Sequence, residues 1–278
     1  MCTYLNQPTL ILREEAKANA TVATEAFYSE PVTILEDNEI PKGWLKIQTD
    51  FDGYIGFCQA KSLSCIQLKE PYPNGPYARV STLKAHVYNE QDTEKGPILT
   101  LPGRALVQID KYEPKERWLT VMLLDGTIGY IQQGNVEVNP KLKTREELVK
   151  YAQGLADCKI PYLFGGRCPW DGYDCSGLTQ EFAWHLGVKL PRNASQQINS
   201  KNCKEITLKE LQPCDLIFWG RTEKPTHVGM YIGNDQFVHA NVRELQGKIT
   251  ISTLSDSLWN PEKKDTTLVF RSFRRIIA

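Results

Sequence analysis

The residues with the greatest chemical reach in this chain are Asp174-Cys175-Ser176-Gly177, with His227 fifty-two positions after the cysteine and His239 twelve beyond that. A thiol attacks an acyl carbon as the thiolate, a minor species at neutral pH unless a base or a positive field favours it. Histidine ionises near neutrality, and a further polar group is needed to hold its ring in the useful tautomer. The three residues therefore read as nucleophile, general base and orienter. Taken singly, such a cysteine is more often a buried small hydrophobe, and a histidine on a strand is more often structural. The combination changes that balance, because the chain holds only four histidines and two of them fall on adjacent candidate strands. His86 and His185 lack that setting and read as structural or surface residues.

Elements must bring these side chains together. Leu178, Phe182 and Leu186 mark one face of a helix that follows a Gly-, Pro- and aromatic-rich stretch from Pro161 to Gly172 and ends at Gly187, with Pro191 just beyond. Cys175 then sits at a helix N-terminus, where unpaired backbone N–H groups and the helix dipole stabilise a thiolate or an oxyanion. His227 opens the apolar run Val228 to Gly233, and Asp235 to Ala240 supplies its hairpin partner. A turn at Gly233-Asn234 predicts His227 directly beside His239, on one face of the pair. Upstream, Thr144 followed by Glu147 has the pattern of a capping box, with Leu148, Val149, Tyr151, Ala152 and Leu155 continuing a helix. Leu216-Ile217-Phe218-Trp219 and Thr267-Leu268-Val269-Phe270 read as strands, which makes the C-terminal half an α+β domain.

Composition narrows the partners. The 278 residues carry 33 Lys and Arg against 33 Asp and Glu, so no charge excess points to nucleic acid. No basic start with a long apolar core opens the chain, and no apolar run reaches the length of a membrane span, so the expectation is a cytoplasmic protein that contacts no membrane. Eight cysteines show no disulfide framework, and a required Cys175 thiolate fits a reducing compartment. With no CxxC pair and with Cys158, Cys168 and Cys175 spaced unlike zinc ligands, no metal and no cofactor are expected.

The N-terminal half repeats itself. Gly43-Trp44-Leu45-Lys46-Ile47 and Asp52-Gly53-Tyr54-Ile55-Gly56-Phe57 recur as Arg117-Trp118-Leu119-Thr120-Val121 and Asp125-Gly126-Thr127-Ile128-Gly129-Tyr130, at an offset of 73 to 74 residues. Each copy is a pair of strands joined through an Asp-Gly turn, which predicts two small β-barrels.

Pro161-Tyr162-Leu163-Phe164-Gly165-Gly166, Tyr173-Asp174-Cys175-Ser176-Gly177-Leu178, Pro191-Arg192, His227 to Gly233 and Val238-His239-Ala240 together resemble, in order and spacing, the motifs of the NlpC/P60 cysteine peptidases. The repeated N-terminal segments resemble bacterial SH3-type modules. The resemblance implies an α+β, papain-like catalytic domain at 145–278, preceded by SH3-like β-barrels at 1–72 and 73–138 and a linker at 139–144. It also implies Cys175 as nucleophile, His227 as base, His239 as orienter and Tyr162 as a hydroxyl beside the nucleophile that helps hold the oxyanion. Asp174 and Ser176 resemble residues that contact the amino end of short muropeptides, and Asp174 equally suits a helix N-cap. Glu25 and Tyr54 resemble the carboxylate and tyrosine that the first module of three-part members offers to that amino group. Glu25 read by itself is more often a solvated surface charge. The implied activity is hydrolysis of the γ-D-glutamyl bond to the diamino acid of peptidoglycan stem peptides, and the chain is expected to be a monomer. Another amidase or acyltransferase of the superfamily, or a non-catalytic muropeptide-binding protein, stays open at this point.

Overall fold

Alternating apolar residues interrupted by Asp-Gly turns make the first half of the chain β, with only two short 3-10 turns at Ala60–Ser62 and Gln133–Asn135. The computed structural model describes residues 1–221, 224–242, 247–263 and 267–277. The chain divides into two units, Met1–Lys141 with Cys168–Trp170, and Leu142–Arg167 with Asp171–Ala278.

In the first unit, β1 (Cys2–Leu5), β2 (Thr9–Arg13), β3 (Val22–Phe27), β4 (Pro31–Leu35), β5 (Trp44–Thr49), β6 (Ile55–Gln59) and β7 (Cys65–Leu68) form one sheet. A second sheet is formed by β8 (Tyr77–Val80), β9 (Lys84–Tyr88), β10 (Leu99–Pro102), β11 (Leu106–Lys111), β12 (Trp118–Met122), β13 (Ile128–Gln132) and β14 (Val136–Val138). The spatial orders are β3-β2-β6-β5-β4-β1-β7 and β10-β9-β13-β12-β11-β8-β14, so the second sheet reproduces the first strand for strand. Both repeats of the Asp-Gly turn place glycine in the left-handed region, Gly53 at φ 71° and Gly126 at φ 84°, where a side chain would be strained. Leu5, Leu12 and Ile47 lie in the core of the first sheet, and Val87, Leu119 and Ile131 in that of the second. Tyrosines join the two sheets: the Tyr28 hydroxyl accepts from the Leu124 N–H at 2.7 Å, and the Tyr72 hydroxyl donates to the Met122 carbonyl at 2.8 Å.

The second unit begins with α1 (Arg145–Asp157), whose Thr144 and Glu147 cap each other's backbone N–H groups as the sequence predicts. After a ribbon of β15 (Arg167–Cys168) and β16 (Gly172–Tyr173) come α2 (Cys175–His185), α3 (Ala194–Gln197) and the remaining strands. These are β17 (Cys203–Ile206), β18 (Leu216–Gly220), β19 (His227–Gly233), β20 (Gln236–Asn241), β21 (Lys248–Thr253) and β22 (Phe270–Ile276), in the order β17-β22-β18-β19-β20-β21. Strand β22 starts at Phe270, so Thr267-Leu268-Val269 leads into the strand and is not part of it. Its ladder with β18 begins at Gly220 opposite Phe270, and of the preceding residues Val269 still donates its N–H to the Gly220 carbonyl at 3.0 Å.

Alternation along the strands gives this sheet two apolar faces. Val228, Met230, Val238 and Ala240 pack with Leu148 and Ala152 of α1 and Leu178 and Phe182 of α2. The opposite face carries Ile217, Trp219, Phe237 and Phe273, covered by Leu254, Trp259 and Leu268. Among the described residues no helix is long and apolar enough to cross a membrane.

Candidate active site

Cys175 is the first residue of α2, and the start of that helix is fixed by backbone contact. The Asp174 N–H donates to the Gly166 carbonyl at 3.1 Å, and a Cβ on Gly177 would stand 2.1 Å from that same carbonyl oxygen. Gly166 and Gly172 are equally confined, each with a backbone oxygen 2.5 Å from where a Cβ would be. Only glycine at these places lets the Pro161–Gly166 segment lie directly against the helix start.

Asp174 is the N-cap, its Oδ1 accepting from the Gly177 N–H at 2.7 Å. The carboxylate also accepts from the Gly165 N–H at 2.9 Å, from the Ser176 hydroxyl at 3.1 Å and from both Nη atoms of Arg192, at 2.9 and 2.6 Å. Arg192, 1% exposed, also donates to Ser176 Oγ at 2.9 Å. A buried carboxylate is tolerable only when paired and hydrogen-bonded in this way. Asp174 and Ser176 thus belong to one closed network around the nucleophile, and Arg192 is a member that the sequence reading left without a role. Its signal there was weak, because nothing in a sequence marks which arginine will be buried against which carboxylate.

Cys175 as a residue is half-buried, and the backbone N–H groups of Val228 and Ser176 lie close enough to its thiol to favour the thiolate. Burial, reinforced by the Asp174 charge, pushes the thiol up to about 12, against the opposing pull of those N–H groups and Arg192. A lone thiolate is therefore disfavoured, and ionisation at neutral pH requires a base to take the proton and stand as its counter-ion. The contact with Val228 sets the sulfur beside the first residues of β19, where His227 is the preceding residue.

His227 and His239 share a face of the sheet, and their rings meet with Nε2 of His227 2.7 Å from Nδ1 of His239. They are not directly opposite each other. The turn centres on Asn234-Asp235, both left-handed at φ 52° and 62°, and not on Gly233-Asn234. That turn pairs Gly233 with Gln236, and an extra residue, Ile232, follows before the ladder settles at Tyr231 opposite Phe237 and Met230 opposite Val238. The turn by itself would send the two histidines to opposite faces, and the bulge restores the common one. His239 consequently lies across from Gly229 and reaches His227 on the diagonal.

Aromatic rings close this part of the site. Trp259 stacks on His227 at 5.1 Å between centroids with 28° between planes, and meets His239 edge-on at 4.6 Å and 87°. Trp259 is held from behind, its carbonyl accepting from Trp219 Nε1 at 3.0 Å. His239 is fully buried, and its Nε2 lies 3.0 Å from the Ser252 hydroxyl. Neither Trp259 nor Ser252 was singled out by sequence, since both lie outside every motif quoted above.

Tyr162 lies in the segment that abuts the helix start, its N–H donating to the Gly247 carbonyl at 2.6 Å and its backbone bridged to Tyr173. Its phenol is raised well above the ordinary tyrosine range, by burial first and then by the adjacent Cys175 and Asp174, so it remains a proton donor. Glu25 and Tyr54 belong to the other unit. Glu25, on β3, is only 1% exposed and is not a solvated surface charge. Tyr54 is half-buried just before β6, its N–H donating to Asp52 Oδ1 at 3.1 Å in the Asp-Gly turn. Of the other histidines, His185 is buried in α2 against Glu181, at 3.0 Å, and His86 Nδ1 meets the Thr100 hydroxyl at 2.8 Å.

Known proteins carry the same parts. The family model described as NlpC/P60 matches residues 159–267, and that of the bacterial dipeptidyl-peptidase Sh3 domain matches residues 12–63, across the first sheet. Dipeptidyl-peptidase 6 of Lysinibacillus sphaericus is 30% identical over 242 residues, covering 83% of this chain and 84% of that protein. Gamma-DL-glutamyl hydrolase of Bacillus subtilis (strain 168) is 39% identical over 105 residues, covering 36% of this chain and 24% of that one. The crystal structure of an NlpC/P60 family protein from Bacillus cereus ATCC 10987 agrees over the whole of both chains with a TM-score of 0.82, at 18% identity, a likeness of fold alone. The catalytic unit has the papain-like NlpC/P60 fold, and an SH3-like domain precedes it. With a relative matched across most of both chains, this protein is a cysteine peptidase and belongs to the NlpC/P60 family.

Proposed function

We propose that this enzyme hydrolyses the γ-D-glutamyl bond to the diamino acid, diaminopimelate or lysine, of peptidoglycan stem peptides that carry a free N-terminal L-alanine. The observation that carries this reading is the match to Dipeptidyl-peptidase 6, which runs through the N-terminal half as well as the catalytic domain. The likeness of the catalytic domain to Gamma-DL-glutamyl hydrolase supports the same bond class.

In the proposed reaction, the proton of the Cys175 thiol passes to His227 Nδ1, the nitrogen not turned to His239, as the sulfur adds to the γ-glutamyl carbonyl carbon. The Cys175 N–H at the start of α2 and the Tyr162 hydroxyl donate to the oxyanion. His227 then returns the proton to the leaving amine as the C–N bond breaks, and water hydrolyses the thioester with His227 again acting as base. His239 holds His227 in orientation throughout. The network of Asp174 and Ser176 with Arg192 shapes the side of the cleft that receives the substrate's amino end. Glu25 and Tyr54, as the resemblance to three-part members of the family implies, bind that ammonium group.

The shared strand order of the two N-terminal sheets supports a second SH3-like barrel beside the matched one, with boundaries at 1–72 and 73–138, a linker at 139–144 and the catalytic domain at 145–278. The required Cys175 thiolate suits recycling or remodelling of wall peptides in a reducing, cytoplasmic compartment. The test is hydrolysis of L-Ala-γ-D-Glu-diaminopimelate beside the same peptide acetylated at its amino end. Cleavage of the free peptide, its loss on acetylation and its abolition in Cys175→Ala are expected. Equal rates on both peptides would remove Glu25 and Tyr54 from the site, and a Cys175→Ala enzyme of near wild-type rate would end the mechanism.

A further inference from the structure

The hydrogen-bonded run that starts at His227 does not stop at His239. It crosses three neighbouring strands, from His227 on β19 to His239 on β20 to Ser252 on β21, with contacts of 2.7 and 3.0 Å. Each step is a same-face diagonal: Ser252 lies opposite Phe237 in the ladder, two residues from His239. We propose that Ser252 is a positioning residue that fixes the tautomer of His239 and, through it, the nitrogen on which His227 accepts the thiol proton. The proposal rests on the Cys175–His227 chemistry described above and is independent of which peptide is the substrate.

A neutral imidazole has one N–H and one bare nitrogen. For His227 to act as base through Nδ1, its proton must sit on Nε2 and point to His239. His239 Nδ1 must then be the bare nitrogen, and the His239 proton sits on Nε2. A group that accepts from Nε2–H favours that arrangement, and the Ser252 oxygen is within reach to do so. Ser252 is half-buried, so its own hydroxyl proton has access to solvent as well as protein acceptors. The reverse tautomer of His239 would place a proton between the two rings from the His239 side and leave the proton of His227 on Nδ1, where it blocks the transfer. When His227 becomes an imidazolium, its Nε2–H donates to a bare His239 Nδ1, so the same arrangement holds the charged state as well.

The experiment compares Ser252→Val with Ser252→Thr, which differ by a hydroxyl in place of a methyl and both suit a strand. Ser252→Val is expected to lower kcat by about 10- to 100-fold, the loss seen when a metal-bound histidine is deprived of its orienting outer partner, with KM unchanged. Ser252→Thr should restore kcat. A second readout is independent of substrate: ¹⁵N chemical shifts of the histidine rings in Cys175→Ala. They are expected to show His239 protonated on Nε2, and a shift toward the Nδ1-protonated form when Ser252→Val is added. A His239 protonated on Nδ1 with Ser252 intact, or unaltered ring shifts in folded Ser252→Val protein, would overturn the proposal whatever the substrate. A kcat that falls equally in the Thr and Val variants would overturn it too, by making shape the cause.

Discussion

The two halves of the active site are built on different principles. The cysteine half is locked by backbone: glycines at 166, 172 and 177 bring chain against chain, and the buried Asp174–Arg192 pair ties the helix start to a later loop. The histidine half is locked by side chains, two imidazoles on diagonal positions of a hairpin with Trp259 stacked against one and edge-on to the other. A nucleophile that has to meet a carbonyl along one line gains from a support that does not give. A base that has to exchange a proton and rotate slightly as it does so is served by a support that is shaped but yielding. Damage to the cysteine half should therefore appear first as lost stability, and damage to the histidine half as lost turnover.

His227→Ala tests the histidine half most severely. Loss of a general base lowers the rate by about 10²–10⁴-fold, and the expected change in melting temperature is small because His227 is half-buried at a strand end. The same variant exposes the intrinsic state of the thiol. Burial pushes Cys175 up to about 12, so without a base the thiolate fraction at pH 7 is minute and grows about tenfold per unit as pH rises. Iodoacetamide labelling of Cys175 in His227→Ala should follow that steep rise, whereas in the wild type, where His227 takes the proton as the sulfur attacks, labelling should be faster at neutral pH and rise less steeply. Equal pH profiles in the two proteins would show that His227 does not serve the thiol.

Arg192→Met attacks the cysteine half. The variant keeps the bulk of the side chain and leaves the Asp174 carboxylate buried without its counter-ion, a change worth about 3–5 kcal/mol of stability. Urea unfolding measures it. A loss below about 1 kcal/mol would mean that Asp174 is satisfied by the Gly165, Ser176 and Gly177 donors and that the arginine is dispensable.

The two halves were not equally legible in the sequence. Asp174 ahead of Cys175 is a cap signal, and Thr144 with Glu147 marks a helix start. Both rest on local chemistry, which a sequence states directly. Arg192 was visible only as a motif residue, because its partner is chosen by the fold. For the histidines the two strands were readable from their apolar runs about a turn, and their common face was reached from a turn at Gly233-Asn234 that the structure does not have. The register was not, because it depends on a two-residue turn and a one-residue bulge whose effects on the side-chain faces cancel. Ser252 sits in Lys-Ile-Thr-Ile-Ser-Thr, where no spacing distinguishes it. In the N-terminal half the repeat showed the Asp-Gly hairpins, whereas the common order of seven strands in each sheet emerges only from the pairing.

A matched pair of glycine substitutions separates the two kinds of support at the level of a single methyl group. In Gly177→Ala the new Cβ would lie 2.1 Å from the Gly166 carbonyl oxygen, a backbone atom held in place by its bond to the Asp174 N–H. Neither chain segment can yield without moving the helix start, so the substitution should cost about 1–3 kcal/mol, as overpacking does, and displace the sulfur as well. In Gly229→Ala the Cβ would stand 3.0 Å from a Phe237 ring carbon, 3.0 Å from the Val238 carbonyl and 3.1 Å from the His239 Cβ. Those neighbours need to give by only a few tenths of an ångström, and alanine loses less backbone entropy on folding than glycine does, a gain of roughly 0.5–1 kcal/mol. The two effects nearly cancel in stability, yet the displacement falls on His239, so kcat should drop several-fold while urea unfolding hardly changes. If Gly229→Ala instead unfolds as readily as Gly177→Ala, the sheet side is as rigid as the helix side and the distinction between the two supports fails. If it is stable and fully active, the diagonal contact between the histidines tolerates movement, and the restraint on His227 must come from Trp259.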